Sequence, residues 1–89
     1  METKILKVVA QTQVTTVQTK NGEVAKKTVR LKELGNDYAD EYLCTLMGDT
    51  ANTELEAGQL VLVNLRFSTH ENNGSWYQDI RINEMVTFN

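Results

Sequence analysis

The 89-residue sequence predicts an all-β protein, a five-stranded closed barrel with one short helix between strands 3 and 4. Three observations carry this expectation. In the last third, Val61, Val63, Leu65 and Phe67 recur at every second residue, and Trp76, Gln78, Ile80 and Ile82 do the same, which is strand periodicity. Asn-Gly occurs twice, at Asn21-Gly22 and Asn73-Gly74. It is the strongest short hairpin signal, because a type I′ turn needs positive φ at both central residues. A chain of 89 residues, 40% hydrophobic, has room for one core, and a sheet closed on itself builds that core without a second layer.

Taken in order, Lys4 to Thr19 reads as one long strand rich in Val, Ile and Thr. It is apolar on both faces at its start. Further on, Thr12, Val14 and Thr16 are expected to share the face of Leu6 and Val8, the pattern of a bent strand that pairs with two neighbours. The turn at Lys20-Asn21-Gly22-Glu23 leads into a second strand, Val24 to Leu34. There Val29 and Leu31 occupy one face and Lys26, Thr28, Arg30 and Lys32 the other. After the turn at Gly35-Asn36-Asp37, a third strand is expected over Tyr38 to Met47, with Tyr42, Cys44 and Leu46 inside and Leu43 and Met47 outside. Between Gly48 and Gly58 the spacing Thr53-x-x-Glu56 matches a capping box, with Gly58 as the stop. A helix this short is unstable alone, so Leu55 is expected to plug one open end of the barrel. The hairpin spanning Gln59 to Phe88 completes the chain.

Five strands in β-β-β-α-β-β order are the topology of the OB fold, whose binding surface is formed by strands 2–3 and the loops 1–2 and 4–5. One run adds a resemblance. Gly58-Gln59-Leu60-Val61-Leu62-Val63, followed by Asn72-Asn73-Gly74-Ser75-Trp76-Tyr77-Gln78-Asp79-Ile80-Arg81, resembles the fourth and fifth strands of small bacterial OB-fold proteins related to single-stranded-DNA-binding proteins and primosomal B-type replication proteins. It covers about a third of the chain in detail, and the remainder only in the order of elements. It implies a single OB-fold domain over residues 1–89 that binds single-stranded DNA or RNA. Bacterial single-strand-binding proteins end in a disordered acidic tail that recruits replication partners, whereas this chain ends Met85-Val86-Thr87-Phe88-Asn89. DNA binding without that recruitment is therefore the expectation.

Composition bounds the alternatives. Residues 1–32 carry seven cations against two acids, a net +5, and residues 33–89 carry two cations against ten acids, a net −8. Only the N-terminal third is therefore suited to meet phosphate. One cysteine excludes an internal disulfide and a cysteine-cluster zinc site, and the single His70 cannot complete a metal shell. Cys44 is expected to be a buried small hydrophobe. Met1 to Ala10 interleaves Glu2, Lys4 and Lys7 with apolar residues, unlike a signal peptide or a membrane span, so a cytoplasmic protein is expected. No nucleophile–base pair or Gly-rich phosphate loop is present. The expectation is a binding module without cofactor or metal, not an enzyme.

The candidate nucleic-acid-binding residues are Lys26, Arg30 and Lys32, with Lys20 and Lys27 near the first turn, and His70, Trp76 and Tyr77 near the second. Non-specific single-strand binders combine a positive groove with aromatic faces for stacking. Strict pleating sends Trp76 inward with Ile80 and Ile82, and Tyr77 outward with Asp79 and Arg81; a bulge near Gly74 would reverse them. Single strands are expected over duplex, on the ground that no helix or ribbon is offered to a major groove. A homodimer is expected because so small a barrel has little surface for many nucleotides. The alternative from another class is a protein-interaction module or oligomerising accessory subunit that does not bind nucleic acid, using Leu43, Met47 and the barrel edge near the first strand.

Overall fold

The computed structural model describes residues 2–88. Its strands are β1 (Glu2–Gln11), β2 (Thr15–Thr19), β3 (Gly22–Glu33), β4 (Glu41–Met47), β5 (Leu60–Asn72) and β6 (Ser75–Thr87). They form one sheet in the order β1-β5-β6-β4-β3-β2, and β1 also pairs with β3. The ring β1-β5-β6-β4-β3 is thus closed, with β2 continuing outward from β3. Six strands appear where five were expected because the long first strand is interrupted at Thr12–Val14.

Two irregularities explain that interruption. Residues Lys7 to Glu2 of β1 pair antiparallel with Leu60 to Leu65 of β5, while Leu6 to Gln11 pair with Glu33 to Val29 of β3, with a register shift between Val8 and Ala10. A bulge at this point bends the strand and increases its twist. It also reverses the side-chain phase. Gln11 therefore points into the barrel end, where its amide donates to Leu55 O at 2.6 Å, and the predicted shared face of Leu6, Val8, Thr12, Val14 and Thr16 is not formed. Through the interruption, Thr12 N–H still donates to Thr28 O at 2.9 Å and Thr12 Oγ1 accepts from Thr28 N–H at 3.0 Å.

The two Asn-Gly turns differ. At the second, Asn73 has φ 53° and Gly74 φ 82°, as the type I′ turn requires. At the first, Gly22 has φ 102° and Asn21 is outside the positive-φ region. Thr19 pairs with Gly22, so this turn carries its left-handed residue one position later, as in a type I turn followed by a glycine bulge.

The third strand begins at Glu41, later than expected. Tyr38 lies in the preceding loop, where its N–H donates to Asn36 Oδ1 at 2.9 Å, and Ala39 N–H donates to Asn36 O at 3.1 Å. The helix is shorter and earlier than the capping-box spacing predicts. It is a 3₁₀ helix, Gly48–Asn52, with no side-chain cap, and Thr53 is extended at φ −69° and ψ 127°. The reason lies in competing acceptors: Thr53 O receives Lys27 Nζ at 2.7 Å and Leu55 O receives Gln11. These carbonyls serve inward side chains instead of a helical ladder. Gly58 sits in a turn closed by Gln59 N–H to Glu56 O at 3.1 Å, and its own N–H donates to Val8 O at 2.8 Å. Leu55 is buried at the barrel end, as expected.

The core is aliphatic: Leu6, Val8, Val29, Leu31, Cys44, Leu46, Ala51, Leu55, Val61, Val63, Leu65 and Ile82. Tyr42, Ile80, Met85 and Ala25 pack against it from the rim. Beyond Leu65, the last β5 residue paired with β1, the β5–β6 hairpin leaves the barrel. From Arg66 to Gln78 every residue is exposed, and the hairpin forms a two-stranded arm. The arm accounts for a radius of gyration of 13.5 Å against about 12 Å for a compact chain of this length. The expectation that no ribbon is available is thereby overturned. An uncovered ribbon is marginal in water. This one is held by its turn, by the stacked rings of His70 and Tyr77 at 5.3 Å between centroids, and by Trp76 Nε1–H donating to Glu71 Oε2 at 2.7 Å.

The barrel end beneath Tyr42 is closed by polar side chains. Lys4 Nζ donates to Glu33 Oε1 at 2.8 Å, Tyr42 Oη–H donates to the same oxygen at 3.1 Å, and Lys4 Nζ lies 5.8 Å from the Tyr42 ring centroid. The hydrogen bond from Lys4, then that from Tyr42, holds the Glu33 carboxyl below the ordinary carboxylate range. A carboxylate depressed in the folded state stabilises above its unfolded pKa, and that contribution disappears as pH falls through the folded value. In urea titrations, wild type should exceed Glu33→Gln in stability at neutral pH, and the gap should close as pH falls below about 4.3. A gap independent of pH would show that the Glu33 charge plays no part.

Candidate nucleic-acid interface

Alternation along β3 places Lys27, Val29 and Leu31 inside and Lys26, Thr28, Arg30 and Lys32 outside. Across the β3–β4 ladder, Lys26 lies opposite Met47, Thr28 opposite Thr45, Arg30 opposite Leu43 and Lys32 opposite Glu41. The outer face therefore sets Lys26 and Arg30 beside Met47 and Leu43, with a threonine pair between them and Glu41 opposite Lys32. It continues onto β6 through the parallel bridge Thr45↔Arg81, where Arg81 Nη2 reaches Met47 Sδ. From Arg81 the same face runs down the arm: Arg66↔Arg81, Ser68↔Asp79 and His70↔Tyr77 are directly opposed. Like charges opposed across a sheet are destabilising, and here Asp79 shares the hollow between Arg66, Ser68 and Arg81.

The predicted candidates separate into those this face brings together and those it does not. Lys26, Arg30, Lys32, His70 and Tyr77 lie on it. Lys20 is exposed at the β2–β3 turn, beside a cleft of 490 Å³ lined by Thr19, Asn21, Val24, Met47, Asp49 and Arg81. Lys27 does not join the row. It is 5% exposed, and its Nζ donates to Gln11 Oε1 at 2.9 Å and to Thr53 O. Burial lowers its pKa, which marks an amine spent inside the barrel end. That side chain borders a separate hollow of 670 Å³ under Thr12, Asn52 and Glu56.

Trp76 keeps the phase of Ile80 and Ile82, yet it is 83% exposed, because the arm has left the barrel and nothing lies beneath it. No bulge occurs at Gly74. The register shift of this hairpin lies farther along, between Asn64↔Glu84 and Leu65↔Ile82. Tyr77, 48% exposed, is the ring on the cationic side. Arg66 and Arg81 were missed as site residues by sequence reasoning. The signal for Arg81 was present in its shared alternation with Tyr77, whereas Arg66 needs the cross-strand register.

The charge segregation along the chain does not survive folding. Arg30 Nε is 2.5 Å from Glu41 Oε1, Lys4 is paired with Glu33, and Lys32 Nζ donates to Asp37 O at 3.1 Å. The hydrogen bond between Arg30 and Glu41 raises the one pKa and lowers the other. Acids of the −8 segment thus sit among cations of the +5 segment. Between Arg30 and Leu43 lies a hollow of 190 Å³ lined also by Ala10, Gln11, Thr12 and Thr28.

No group of three His, Cys, Asp or Glu residues that could hold a metal is found among the described residues. Nor is any described helix long and apolar enough to cross a membrane.

No family model matches the sequence, and no curated protein matches it. A solved structure does. The solution structure of the second OB-fold domain of replication protein A from Methanococcus maripaludis aligns with a TM-score of 0.69 and 20% identity, over 96% of this chain and 80% of that one. The fold is the OB fold. The expected all-β barrel is therefore correct, with the first OB strand divided into β1 and β2.

Cys44 is the one cysteine of the chain, and its environment makes the thiol unreactive. It is fully buried in the core, and burial pushes its thiol up to about 12. Since the thiolate is the reactive form, native protein at pH 8 should resist iodoacetamide and label only when unfolded. Rapid labelling of the native state would place Cys44 at an opening that the barrel lacks.

Proposed function

We propose that this OB-fold domain binds single-stranded nucleic acid, DNA in the first instance, along the outer face of β3 and β4 and onto the adjoining side of the β5–β6 arm. The observation that carries the reading is the continuity of that face: Lys26, Arg30 and Lys32 beside Leu43 and Met47, then Arg81 and Arg66, then the His70–Tyr77 stack. Cations along the strands meet backbone phosphate. Leu43 and the stem of Arg30 receive one base, and the Tyr77 ring receives another. The neighbour named as a replication protein A domain supports the reading at the level of fold. The resemblance to bacterial single-strand-binding and primosomal replication proteins rests on the runs Gly58 to Val63 and Asn72 to Arg81. Two aromatic rings, His70 and Tyr77, and several cations on one small surface fit a binding module better than an enzyme.

The arm itself does not make a duplex reader. A two-stranded ribbon can enter a major groove, but this tip presents Glu71, and Asp79 lies farther along the arm, an arrangement phosphate walls repel. Unpaired bases are needed to reach the Tyr77 face.

Three phosphate contacts by Lys26, Arg30 and Lys32 give a log-affinity against log-salt slope of roughly −2, at about −0.7 per contact. In fluorescence titrations with an oligonucleotide, Lys26→Glu and Lys32→Glu should each flatten that slope. Tyr77→Ala should weaken binding by about 1–3 kcal/mol at unchanged slope, while Trp76→Ala should have little effect. Glu41→Gln should tighten binding, since Arg30 then has no carboxylate to leave. Absence of salt-sensitive binding at low ionic strength, or equal affinity for duplex, would defeat the reading.

A further inference from the structure

A second surface is independent of the nucleic-acid reading. On the outer side of the barrel wall formed by β1, β5 and β6, nine residues lie in a regular grid. Across the three strands the register gives Ile5–Leu62–Val86 as the middle row and Thr3–Asn64–Glu84 as one flanking row. The other flanking row is Lys7–Leu60, extended by Phe88, whose N–H donates to Leu60 O at 3.0 Å. Ile5 is 47% exposed, Val86 55% and Phe88 44%, and Leu60 and Leu62 lie half-buried between them. These five form one contiguous apolar patch, in contrast to Leu43, which stands among cations on the other wall. The protein-interaction surface expected at Leu43 and Met47 is better supplied here.

We infer that this wall is the contact through which a second copy of the chain binds, face to face about a two-fold axis. The argument for a second copy lies in the charges. Lys7 and Glu84 occupy diagonally opposite corners of the grid, with Leu62 at its centre. An axis lying in the contact plane at about 45° to the strands, close to the Thr3–Phe88 diagonal, sets Lys7 against the second copy's Glu84, and Glu84 against its Lys7. The same operation places Leu60 on the second copy's Val86 and Ile5 on the edge of its Asn64, while Leu62 and Phe88 each meet their own counterpart. Spacings of about 4.8 Å between strands and about 6.8 Å between alternate residues leave each charged pair about 3 Å off superposition, within reach of a lysine side chain. The two sheets then cross near a right angle, one of the two favoured sheet packings. A self-complementary patch is what an isologous dimer requires, whereas an unrelated partner would have to supply both charges itself.

The patch also fixes the strength of the contact. Its Cα positions span about 10 Å by 14 Å, well short of the roughly 800 Å² per partner of a standard interface. The dimer is therefore reversible, and its population depends on concentration. The nucleic-acid face on β3 and β4 remains open in both copies.

Sedimentation velocity on the whole chain, from micromolar to millimolar concentration, tests this. Wild type should pass from monomer to dimer. Val86→Asp should remain monomeric across the range while keeping wild-type affinity for the oligonucleotide, which separates this contact from the binding face. Lys7→Glu and Glu84→Lys should each weaken the dimer by about tenfold or more, and the double variant should recover it, because the swapped charges again face each other. Circular dichroism melting checks that each variant is folded. A wild-type monomer at millimolar concentration would overturn the dimer, and failure of the double variant to recover would overturn the two-fold arrangement.

Discussion

The structure depends on β1 pairing with two strands at once. Its first half is bonded to β5 and its second half to β3, and the bulge at Val9 supplies the bend that lets one strand serve both. Without the pairing of β1 to β3 the sheet would be open, with β1 and β2 as edges, and Leu6, Val8, Val61 and Leu31 would have no shared interior. On the far side, closure rests on the single bridge between Thr45 and Arg81. The barrel is thus strongly joined at one seam and lightly at the other. The lightly joined seam is where the outer face of β4 passes onto the arm, so the surface that carries the proposed function crosses the part of the ring with the fewest backbone hydrogen bonds.

A core made almost wholly of Val, Leu and Ile has a second consequence. Aromatic side chains carry large apolar area and usually dominate small cores. Here Tyr42 alone lines the interior from the rim, and Tyr38, Phe67, Trp76, Tyr77 and Phe88 are all exposed. Three of these five rings are on the arm. The aliphatic core suffices because a closed ring buries both neighbours of each inward position, leaving the rings for surfaces where a flat face can meet another flat group. Among the fully buried core side chains, Cys44 is one more small hydrophobe.

The polar groups that do enter the barrel sit at its two ends. Lys27 with Gln11 and the carbonyls of Thr53 and Leu55 closes one, and Lys4 with Glu33 and Tyr42 closes the other. Each buried charge is hydrogen-bonded, as burial demands. These closures explain why the linear charge asymmetry is a poor guide to the surface, since two of the seven N-terminal cations are consumed in them and a third is held by Glu41.

Strand content, the two hairpins, the aliphatic core and the outward row Lys26, Arg30 and Lys32 were legible before folding was considered, because alternation of period two and the turn-forming tendency of Asn-Gly are local properties of the chain. So was the place of Tyr77 on the outer side of its strand. Where alternation stops implying burial depends instead on which strands lie beneath it. Trp76 continues the inward phase of Ile82, but the arm outruns β1 and leaves it in solvent. Lys27 follows one residue after an outward lysine and so points into the barrel end, where Gln11 reaches it only through the phase change at Val9. The helix at Thr53 to Glu56 gave way because its carbonyls were needed by those same inward groups. The juxtapositions of Arg66 with Arg81, of Arg30 with Glu41, and of Ile5 with Leu62 and Val86 depend on register between strands distant in sequence, which no local pattern encodes.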